Sequence, residues 1–161
     1  MKEVIEKLKE KGKTIATMES CTGGGLAYII TNVEGASDVF RYGAVTYSNE
    51  AKIAQGVDPM LIDKYTVYSE EVAKDMSKQI SILANSDYGV GVTGKLNRPD
   101  KNNPNGNDNQ VFFSIYDKEQ DEYYVSSLFV DKETRELNKL LIIENIEKEL
   151  LTILNQKVYI R

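Results

Sequence analysis

The sequence predicts an α/β fold, a three-layer α/β/α sandwich around a mixed central sheet. In the first two thirds of the chain, β-prone runs alternate with helical runs, which is typical of strands joined by crossover helices. Two further β-prone runs follow, separated by a short polar stretch, and these predict a hairpin that makes the sheet mixed. The 161 residues suffice for one domain with a real core, and no repeat or linker divides them. We therefore expect a single domain over residues 1–161.

The first elements follow from apolar spacing. Val4, Ile5 and Leu8 lie at helical spacing among charged residues and predict a helix over 2–11, which Gly12 ends. The next elements, in chain order, are a strand at 14–18, a helix at 22–32 and a strand at 39–47.

Three helices are predicted between the second and third strands, each with a polar residue suited to its N-cap. Ser48 precedes a short helix at 50–54, and Asp58 with a following proline begins another through residue 64. Ser69 opens a longer helix to about residue 84, because two glutamates follow it at the favourable end of the helix dipole. Four apolar residues of this helix share one face: Val72, Met76, Ile80 and Leu83.

The last third of the chain contains three strands, one long loop and one long helix. Residues 88–93 are almost continuously apolar, which predicts a buried central strand. Residues 94–109 hold six Asn, two Pro and two Gly, which predicts a loop that is either functional or mobile. The remaining elements are strands at 111–116 and 123–130, joined through 117–122, and a helix at 132–155.

The composition disfavours several classes of partner. The net charge of −5 argues against a nucleic-acid surface, and no apolar run approaches the roughly 20 residues of a membrane span. The single Cys21 cannot form an internal disulfide, which favours a reducing compartment. The first residues have no apolar signal region. We expect a cytoplasmic protein with no nucleic-acid or membrane partner, and the sequence leaves homo-oligomerisation open.

The chain contains no histidine, which removes the commonest general base and metal ligand. Catalysis by Ser-His-Asp or Cys-His is excluded within this chain, and so are zinc sites built on His. The acids Asp87, Asp100 and Asp108 are scattered and fit surface or turn positions. We expect no metal and no cofactor, so that acid–base chemistry falls to Lys, Tyr, Asp or Glu.

The turn between the first strand and the second helix is the strongest candidate for a site. Ser20, Cys21 and Thr22 bring two hydroxyls and a thiol, and three glycines follow at 23–25. Glycines weaken a helix start, but they let the backbone approach a ligand closely. The N–H groups of residues 21–24 suit a phosphate or a developing oxyanion. Two alternatives remain: Ser20 or Thr22 is only an N-cap, or Cys21 is a nucleophile that lacks a His partner.

A second candidate stretch runs from Tyr47, at the end of a strand, to Lys52 on the following helix. Ligands bind at the carboxyl edge of open α/β sheets, where Ser20 is also expected. A charged Lys52 lowers the pKa of a nearby Tyr47, or a desolvated neutral Lys52 is itself the base. Either group can take a proton from Ser20 as it attacks a carbonyl. The alternative is that Tyr47 is a strand tyrosine whose hydroxyl contacts water and that Lys52 is a helix lysine whose ammonium is solvated.

Other catalytic templates fail on spacing. Dehydrogenases with Tyr-x-x-x-Lys need three intervening residues, whereas four separate Tyr47 from Lys52, and no Gly-x-Gly-x-x-Gly turn is present. No P-loop motif exists, and the Ser-x-x-Lys of β-lactamases is absent because Gly23 stands three residues after Ser20.

Four stretches together resemble the CinA C-terminal domain family, many of whose members are nicotinamide mononucleotide deamidases. The stretches are Glu19-Ser20-Cys21-Thr22-Gly23-Gly24, Tyr47-Ser48-Asn49-Glu50-Ala51-Lys52, Val67-Tyr68-Ser69-Glu70-Glu71-Val72-Ala73 and Val92-Thr93-Gly94. The resemblance covers residues 3–154 or so. It implies a three-layer fold and metal-free hydrolysis of nicotinamide mononucleotide to nicotinate mononucleotide and ammonia.

The resemblance also implies roles for individual residues. Ser20 matches the family's nucleophile, and Tyr47 with Lys52 matches its activating pair. Arg135, at the start of the last helix, matches a family arginine expected to meet the substrate phosphate. The further substrate-binding candidates lie in the same signatures: Thr22, Gly23, Gly24, Thr93 and Gly94.

The chain departs from the family directly after Thr93-Gly94. The family continues with Ile-Ala-Gly-Pro, whereas this chain has Lys95-Leu96-Asn97-Arg98-Pro99. Lys95 and Arg98 either bind phosphate through their side chains or block the pocket. We therefore keep three hypotheses for a small-molecule nucleotide ligand: the deamidase, a ligand-binding or regulatory homologue without turnover, and a hydrolase of a different amide.

Overall fold

The computed structural model describes residues 1–156, which form six α-helices and five strands in the predicted order. The elements are α1 (Lys2–Lys11), β1 (Ile15–Glu19), α2 (Gly25–Thr31), a 3₁₀ turn (Ala36–Asp38), β2 (Phe40–Val45), α3 (Asn49–Ala54), α4 (Pro59–Tyr65), α5 (Glu70–Ala84), β3 (Tyr88–Gly94), β4 (Gln110–Asp117), β5 (Glu122–Phe129) and α6 (Arg135–Leu154). None of these helices has the length and apolar character needed to cross a membrane.

The sheet has the strand order β2-β1-β3-β4-β5 and is mixed, as predicted. The strands β2, β1 and β3 are parallel, whereas β4 and β5 are antiparallel to their neighbours. The carboxyl ends of the three parallel strands therefore share one edge. Ser20, Thr46 and Lys95 each follow directly after one of these strands and so meet at that edge.

Helices cover both faces of the sheet, which confirms the three layers. Along β1, Ile15 belongs to a core shared with α1, α2 and α6, while Ala16 and Met18 belong to a second core shared with α5. Side chains alternate along a strand. The alternation places Glu19 on the α2 side and Ser20, just beyond the strand, on the α5 side.

Helix α5 packs closely on β3 because two glycines leave room for its backbone. A Cβ at Gly89 would lie 2.0 Å from the Ser77 carbonyl oxygen, and one at Gly91 would lie 2.5 Å from that of Ala73. All seven residues of β3 are buried, and the strand pairs with neighbours on both sides. The predicted central strand is confirmed.

Two predicted helix starts were wrong. Helix α2 begins at Gly25 rather than residue 22, because Gly23 and Gly24 have left-handed backbones with φ of 61° and 94°. Helix α6 begins at Arg135 rather than residue 132, because the Thr134 hydroxyl accepts a hydrogen bond from the Leu137 N–H and so fixes the N-cap.

Candidate active site

A buried carboxylate organises the turn after β1. Glu19 accepts hydrogen bonds from the Thr22 hydroxyl at 2.7 Å and from the N–H groups of Leu26 and Ala27 at 2.7 and 3.1 Å. These two N–H groups are among those that the start of an α-helix leaves without a partner. Glu19 therefore caps α2 from the strand side. The N-cap hypothesis for Ser20 and Thr22 was wrong, because the N-cap residue is Gly24, which has no side chain, and Glu19 accepts from the first N–H groups instead.

The N–H groups of Leu26 and Ala27, at the start of α2, are therefore not free to hold an oxyanion. The Gly23 N–H is also used, since it donates to the Ser20 carbonyl oxygen at 2.9 Å. Within the described part of the chain, the N–H groups of Cys21, Thr22 and Gly24 have no hydrogen-bond acceptor in another residue, and of these three residues only Cys21 lines the main cleft.

Ser20 meets Lys52 inside this cleft. Helix α3, capped by the Ser48 hydroxyl, carries Lys52 back under the carboxyl edge of the sheet. Its Nζ donates to Ser20 Oγ at 3.0 Å and to the Thr46 carbonyl oxygen at 2.7 Å. Both side chains are buried, with Lys52 2% and Ser20 6% exposed. The alternative of a solvated helix lysine is therefore wrong.

Burial changes the chemistry of Lys52. It lowers the pKa of the lysine from its ordinary value of 10.5 to about 8, and attraction to Cys21 and Asp100 opposes this fall. A large share of Lys52 is therefore neutral near pH 8, and a neutral amine 3.0 Å from a hydroxyl can accept its proton.

The neighbouring thiol has the opposite property. Burial raises the pKa of Cys21 to about 12, and the charge of Lys52 offsets this only in part. The thiolate is the nucleophilic form of cysteine, and it is scarce here at neutral pH. The pKa of Cys21 therefore disfavours a cysteine nucleophile.

The cleft has a volume of about 870 Å³ and brings five of the predicted site residues together: Ser20, Tyr47, Lys52, Gly94 and Arg135. The other four do not line it: Thr22, Gly23, Gly24 and Thr93. The Thr22 hydroxyl is turned to Glu19, and the Thr93 hydroxyl donates to the Val67 carbonyl oxygen at 3.0 Å. Gly23 lies under α6, where a Cβ would come within 3.1 Å of Lys139 Nζ.

Tyr47 and Arg135 stand apart from the Ser20–Lys52 pair. Tyr47 is 65% exposed, and its hydroxyl accepts a hydrogen bond from Arg135 Nη2 at 3.5 Å. Within residues 1–156, no hydrogen bond joins Tyr47 to Ser20 or Lys52. The two residues therefore form part of the open rim of the cleft.

The segment that departs from the family pattern forms another wall of the cleft. Lys95 is 3% exposed, and its Nζ donates to the Asn105 carbonyl oxygen at 3.0 Å and lies 3.5 Å from Asp108 Oδ1. The ammonium also stands 5.2 Å from the centre of the Tyr68 ring. Lys95 is thus engaged within its own segment, whereas Arg98 is exposed and lines the cleft.

The charge of the cleft contrasts with that of the chain. Five cationic side chains line it, against the two carboxylates of Glu50 and Asp100, although the whole chain carries −5. Such a lining favours an anionic ligand. Among the described residues, no group of three His, Cys, Asp or Glu is placed to hold a metal ion.

Two residues of the site had no role in the sequence analysis. Glu19 was part of a quoted motif, and its place ahead of three glycines was the only signal of a cap from outside the helix. Asp100 was interpreted as a scattered acid, yet it lines the cleft and accepts a hydrogen bond from the Tyr68 hydroxyl. No sequence pattern links two residues that are 32 positions apart.

Comparison with known proteins gives a consistent result. The sequence model of the CinA C-terminal domain matches residues 1–154. A competence-damage inducible protein of Caldanaerobacter subterraneus subsp. tengcongensis is 51% identical over 92 residues, which are 56% of this chain and 22% of that protein. The match therefore spans about a fifth of the length of this relative.

Solved structures match almost the whole chain. A competence or damage-inducible protein from Enterobacter asburiae has a TM-score of 0.84 at 23% identity, and the match covers 94% of each chain. The competence/damage inducible protein CihA from Agrobacterium tumefaciens has a TM-score of 0.83 at 25% identity, with 96% of this chain and 92% of that chain covered. These similarities show the fold.

Proposed function

The chain belongs to the family of the CinA C-terminal domain, and from that premise we propose that it is an amide hydrolase that converts nicotinamide mononucleotide to nicotinate mononucleotide and ammonia. One observation carries the proposal. In a buried position at the carboxyl edge of the sheet, the amine of Lys52 lies 3.0 Å from Ser20 Oγ. A nucleophile and a base within hydrogen-bond distance are the core requirement of covalent amide hydrolysis.

In the first half of the reaction, Ser20 Oγ attacks the carboxamide carbon while neutral Lys52 takes the hydroxyl proton. The carbonyl oxygen becomes an oxyanion, and the unused N–H of Cys21 is the donor best suited to it. Protonated Lys52 then gives its proton to the amide nitrogen as the C–N bond breaks. Ammonia leaves, and the acyl group remains as an ester on Ser20.

The second half repeats the proton transfers with water. Lys52, neutral again, takes a proton from a water molecule as its oxygen attacks the ester carbon. The bond from that carbon to Ser20 Oγ breaks, and Oγ recovers the proton from Lys52. The product is the carboxylic acid, which releases its remaining proton to solvent to give the free carboxylate, and Ser20 and Lys52 return to their starting states.

The cationic lining provides for the phosphate of the nucleotide. Arg135 and Arg98 both line the cleft and can each form paired hydrogen bonds with phosphate oxygens. The Tyr47 hydroxyl is bonded to Arg135 and so orients this guanidinium at the rim. We assign Tyr47 to the placement of Arg135 rather than to proton transfer from Ser20, because among the described residues only Lys52 forms a hydrogen bond with the Ser20 hydroxyl.

A ligand-binding homologue without turnover is the second candidate, and the segment after Gly94 favours it. Arg98, Pro99 and Asp100 line the cleft where the family has small residues. Bulky residues there can hold a nucleotide in a pose that keeps its amide away from Ser20. A hydrolase of a different amide is the third candidate, because the same bulky residues can also change which substrate fits the cleft.

Ammonia release from nicotinamide mononucleotide tests the proposal directly. We expect Ser20→Ala to lower kcat/KM by about 10³-fold or more, as for the loss of a covalent nucleophile. Cys21→Ala keeps the backbone N–H, removes only the thiol and should retain most of the activity. Loss of activity in Cys21→Ala together with retention in Ser20→Ala would contradict the serine mechanism.

Calorimetric titration with the same nucleotide separates the remaining candidates. If folded wild-type protein releases no ammonia but binds the nucleotide, the deamidase is excluded in favour of the binding protein. If it neither binds nor reacts, the substrate is a different amide.

A further inference from the structure

Asp100 is the centre of a hydrogen-bond network at the mouth of the cleft. Its carboxylate accepts from the Tyr68 hydroxyl, from the Asn102 N–H at 2.9 Å and from Asn103 Nδ2 at 3.2 Å. The side chain of Asn103 in turn accepts from Asn49 Nδ2 at 3.0 Å. The network fastens the 95–109 segment to two other parts of the chain.

Those two parts flank the Ser20–Lys52 pair. Asn49 is the first residue of α3 and lies three residues before Lys52 on that short helix. Tyr68 directly precedes Ser69, the N-cap of α5. Asp100 is therefore fixed by the helix that carries Lys52 and by the segment leading into α5, and it lines the same cleft as Lys52.

From this arrangement we propose that Asp100 is a positioning residue that holds a fixed negative charge near Lys52 and so sets how readily this lysine gives up its proton. The effect on Lys52 rests on two observations: Asp100 and Lys52 line one cleft, and the hydrogen-bond network fixes Asp100 to the helix that carries Lys52. Its consequence for catalysis rests on the proposed amide hydrolysis, in which Lys52 is the base.

Asp100 is ionised throughout the working range, because the hydrogen bond from Tyr68 lowers the pKa of its carboxyl group. Burial raises the pKa of Tyr68, so that its hydroxyl remains a donor. Asp100 and Cys21 are the groups whose attraction raises the pKa of Lys52 against burial, and the thiol of Cys21 is mostly neutral because its own pKa is about 12. Of Asp100 and Cys21, Asp100 is therefore the group that carries the negative charge.

Other titratable groups line the cleft and belong to the same field. Glu50 comes from the start of α3, and Tyr47 comes from the connection between β2 and α3. The cations are Lys95, Arg98, Lys101 and Arg135. By their charge, these cations act to lower the pKa of Lys52, whereas Asp100 raises it. They are still present when Asp100 is substituted, so the substitution measures the effect of the Asp100 charge by itself.

Asp100→Asn removes the charge and keeps most of the anchoring. The single amide oxygen of asparagine can still accept from Tyr68 and Asn103, while the negative charge and the bond from the Asn102 N–H are lost. Asp108→Asn is the matched control, because it removes a carboxylate from the same segment without being among the groups that act on Lys52. Asp100→Glu keeps the charge and tests rescue.

The titration of Lys52 Nζ, followed by NMR with ¹⁵N-labelled lysine, is the deciding measurement. We expect Asp100→Asn to lower the pH at the titration midpoint of Lys52 by about 0.5 to 1, the order expected of one nearby charge. Asp108→Asn and Asp100→Glu should leave the midpoint near that of wild type. An unchanged midpoint in Asp100→Asn, or an equal change in Asp108→Asn, would overturn the proposal.

The pH profile of kcat/KM supplies a second readout. Activity rises as Lys52 loses its proton, so Asp100→Asn should move this rise to lower pH by the same amount as the NMR midpoint. If the NMR midpoint moves while wild type releases no ammonia from nicotinamide mononucleotide, the role of Asp100 is supported and the proposed substrate is not. A moved NMR midpoint without a matching change in the pH profile of activity would exclude Lys52 as the base that Asp100 controls.

Discussion

Two lysines of the same cleft are buried to the same degree but have different surroundings. Lys52 is 2% exposed and Lys95 is 3% exposed. The ammonium of Lys52 meets only a hydroxyl and a carbonyl oxygen, and no carboxylate of the described residues lies within salt-bridge distance of it. The ammonium of Lys95 has a carboxylate at 3.5 Å, a carbonyl oxygen at 3.0 Å and an aromatic ring beside it.

The comparison shows that partners, rather than burial alone, decide what a buried lysine does. Burial disfavours the charged form of any lysine, and only a nearby negative charge or a dense set of acceptors offsets this. Lys52 has no carboxylate within salt-bridge distance among the described residues, and attraction to Cys21 and Asp100 offsets burial only in part, so its pKa falls to about 8 and it becomes a candidate base. Lys95 has a carboxylate, a carbonyl oxygen and a ring at hand, and these contacts hold the 95–109 segment in place.

The largest expected difference between the two lysines is in activity. Lys52→Met removes the base and should lower kcat/KM for ammonia release by about 10²–10⁴-fold, the range of general-base catalysis. Lys95→Met loosens one wall of the cleft and should act mainly on KM, by about tenfold or less. Steady-state kinetics on both variants, checked for folding by circular dichroism, measure this. Equal losses of kcat in the two variants would contradict the assignment of Lys52 as the base and of Lys95 as a residue of the cleft wall.

The second difference is in the pH dependence of stability. Lys52 has a pKa of about 8 in the folded protein and about 10.5 when unfolded, so the unfolded chain binds more protons between these values. The contribution of Lys52 to stability therefore rises with pH across this window, and the lysine costs stability below pH 8. A tenfold change in a proton-binding constant corresponds to about 1.4 kcal/mol, so the whole window amounts to about 3 kcal/mol at most.

Urea unfolding of wild type and Lys52→Met at several pH values tests this. The free energy of unfolding of wild type, minus that of the variant, should increase by up to about 3 kcal/mol between pH 8 and pH 10.5. Subtracting the variant removes the contributions of the tyrosines, which titrate in both proteins. A difference that stays constant across the window would show that Lys52 is charged in the folded protein.

The sequence predicted the parts of the site that lie on regular elements. The strand periodicity placed Ser20 at the end of β1, and the helix start at Ser48 placed Lys52 one turn into α3. Both positions follow from local spacing and from the rule that parallel strands end at a common edge. The order of the elements brings both residues to one edge, but it does not select Lys52 as the partner of Ser20, because the same reasoning also placed Tyr47 there and its hydroxyl bonds to Arg135.

The sequence could not predict which side chains hold the irregular parts. Thr22 belongs to the same signature as Ser20, but the buried carboxylate of Glu19 turns its hydroxyl away from the cleft. The partners of Lys95 and Asp100 lie across a loop that has no hydrophobic period to set its path. Local patterns fix backbone elements, whereas these contacts depend on where side chains from separate segments happen to meet.

The smallest expected effect comes from making Lys95 resemble Lys52. Asp108→Asn removes the carboxylate beside Lys95, but Asp108 is 51% exposed, so water already screens the pair. We expect a loss of about 0.5–1 kcal/mol in the free energy of unfolding, the range of exposed ion pairs. In a Lys95→Met background the same substitution should have almost no effect, because the cation is gone. An undiminished loss in that background would mean that Asp108 stabilises the segment through some other contact, and that Lys95 owes its position to Asn105 and Tyr68 instead.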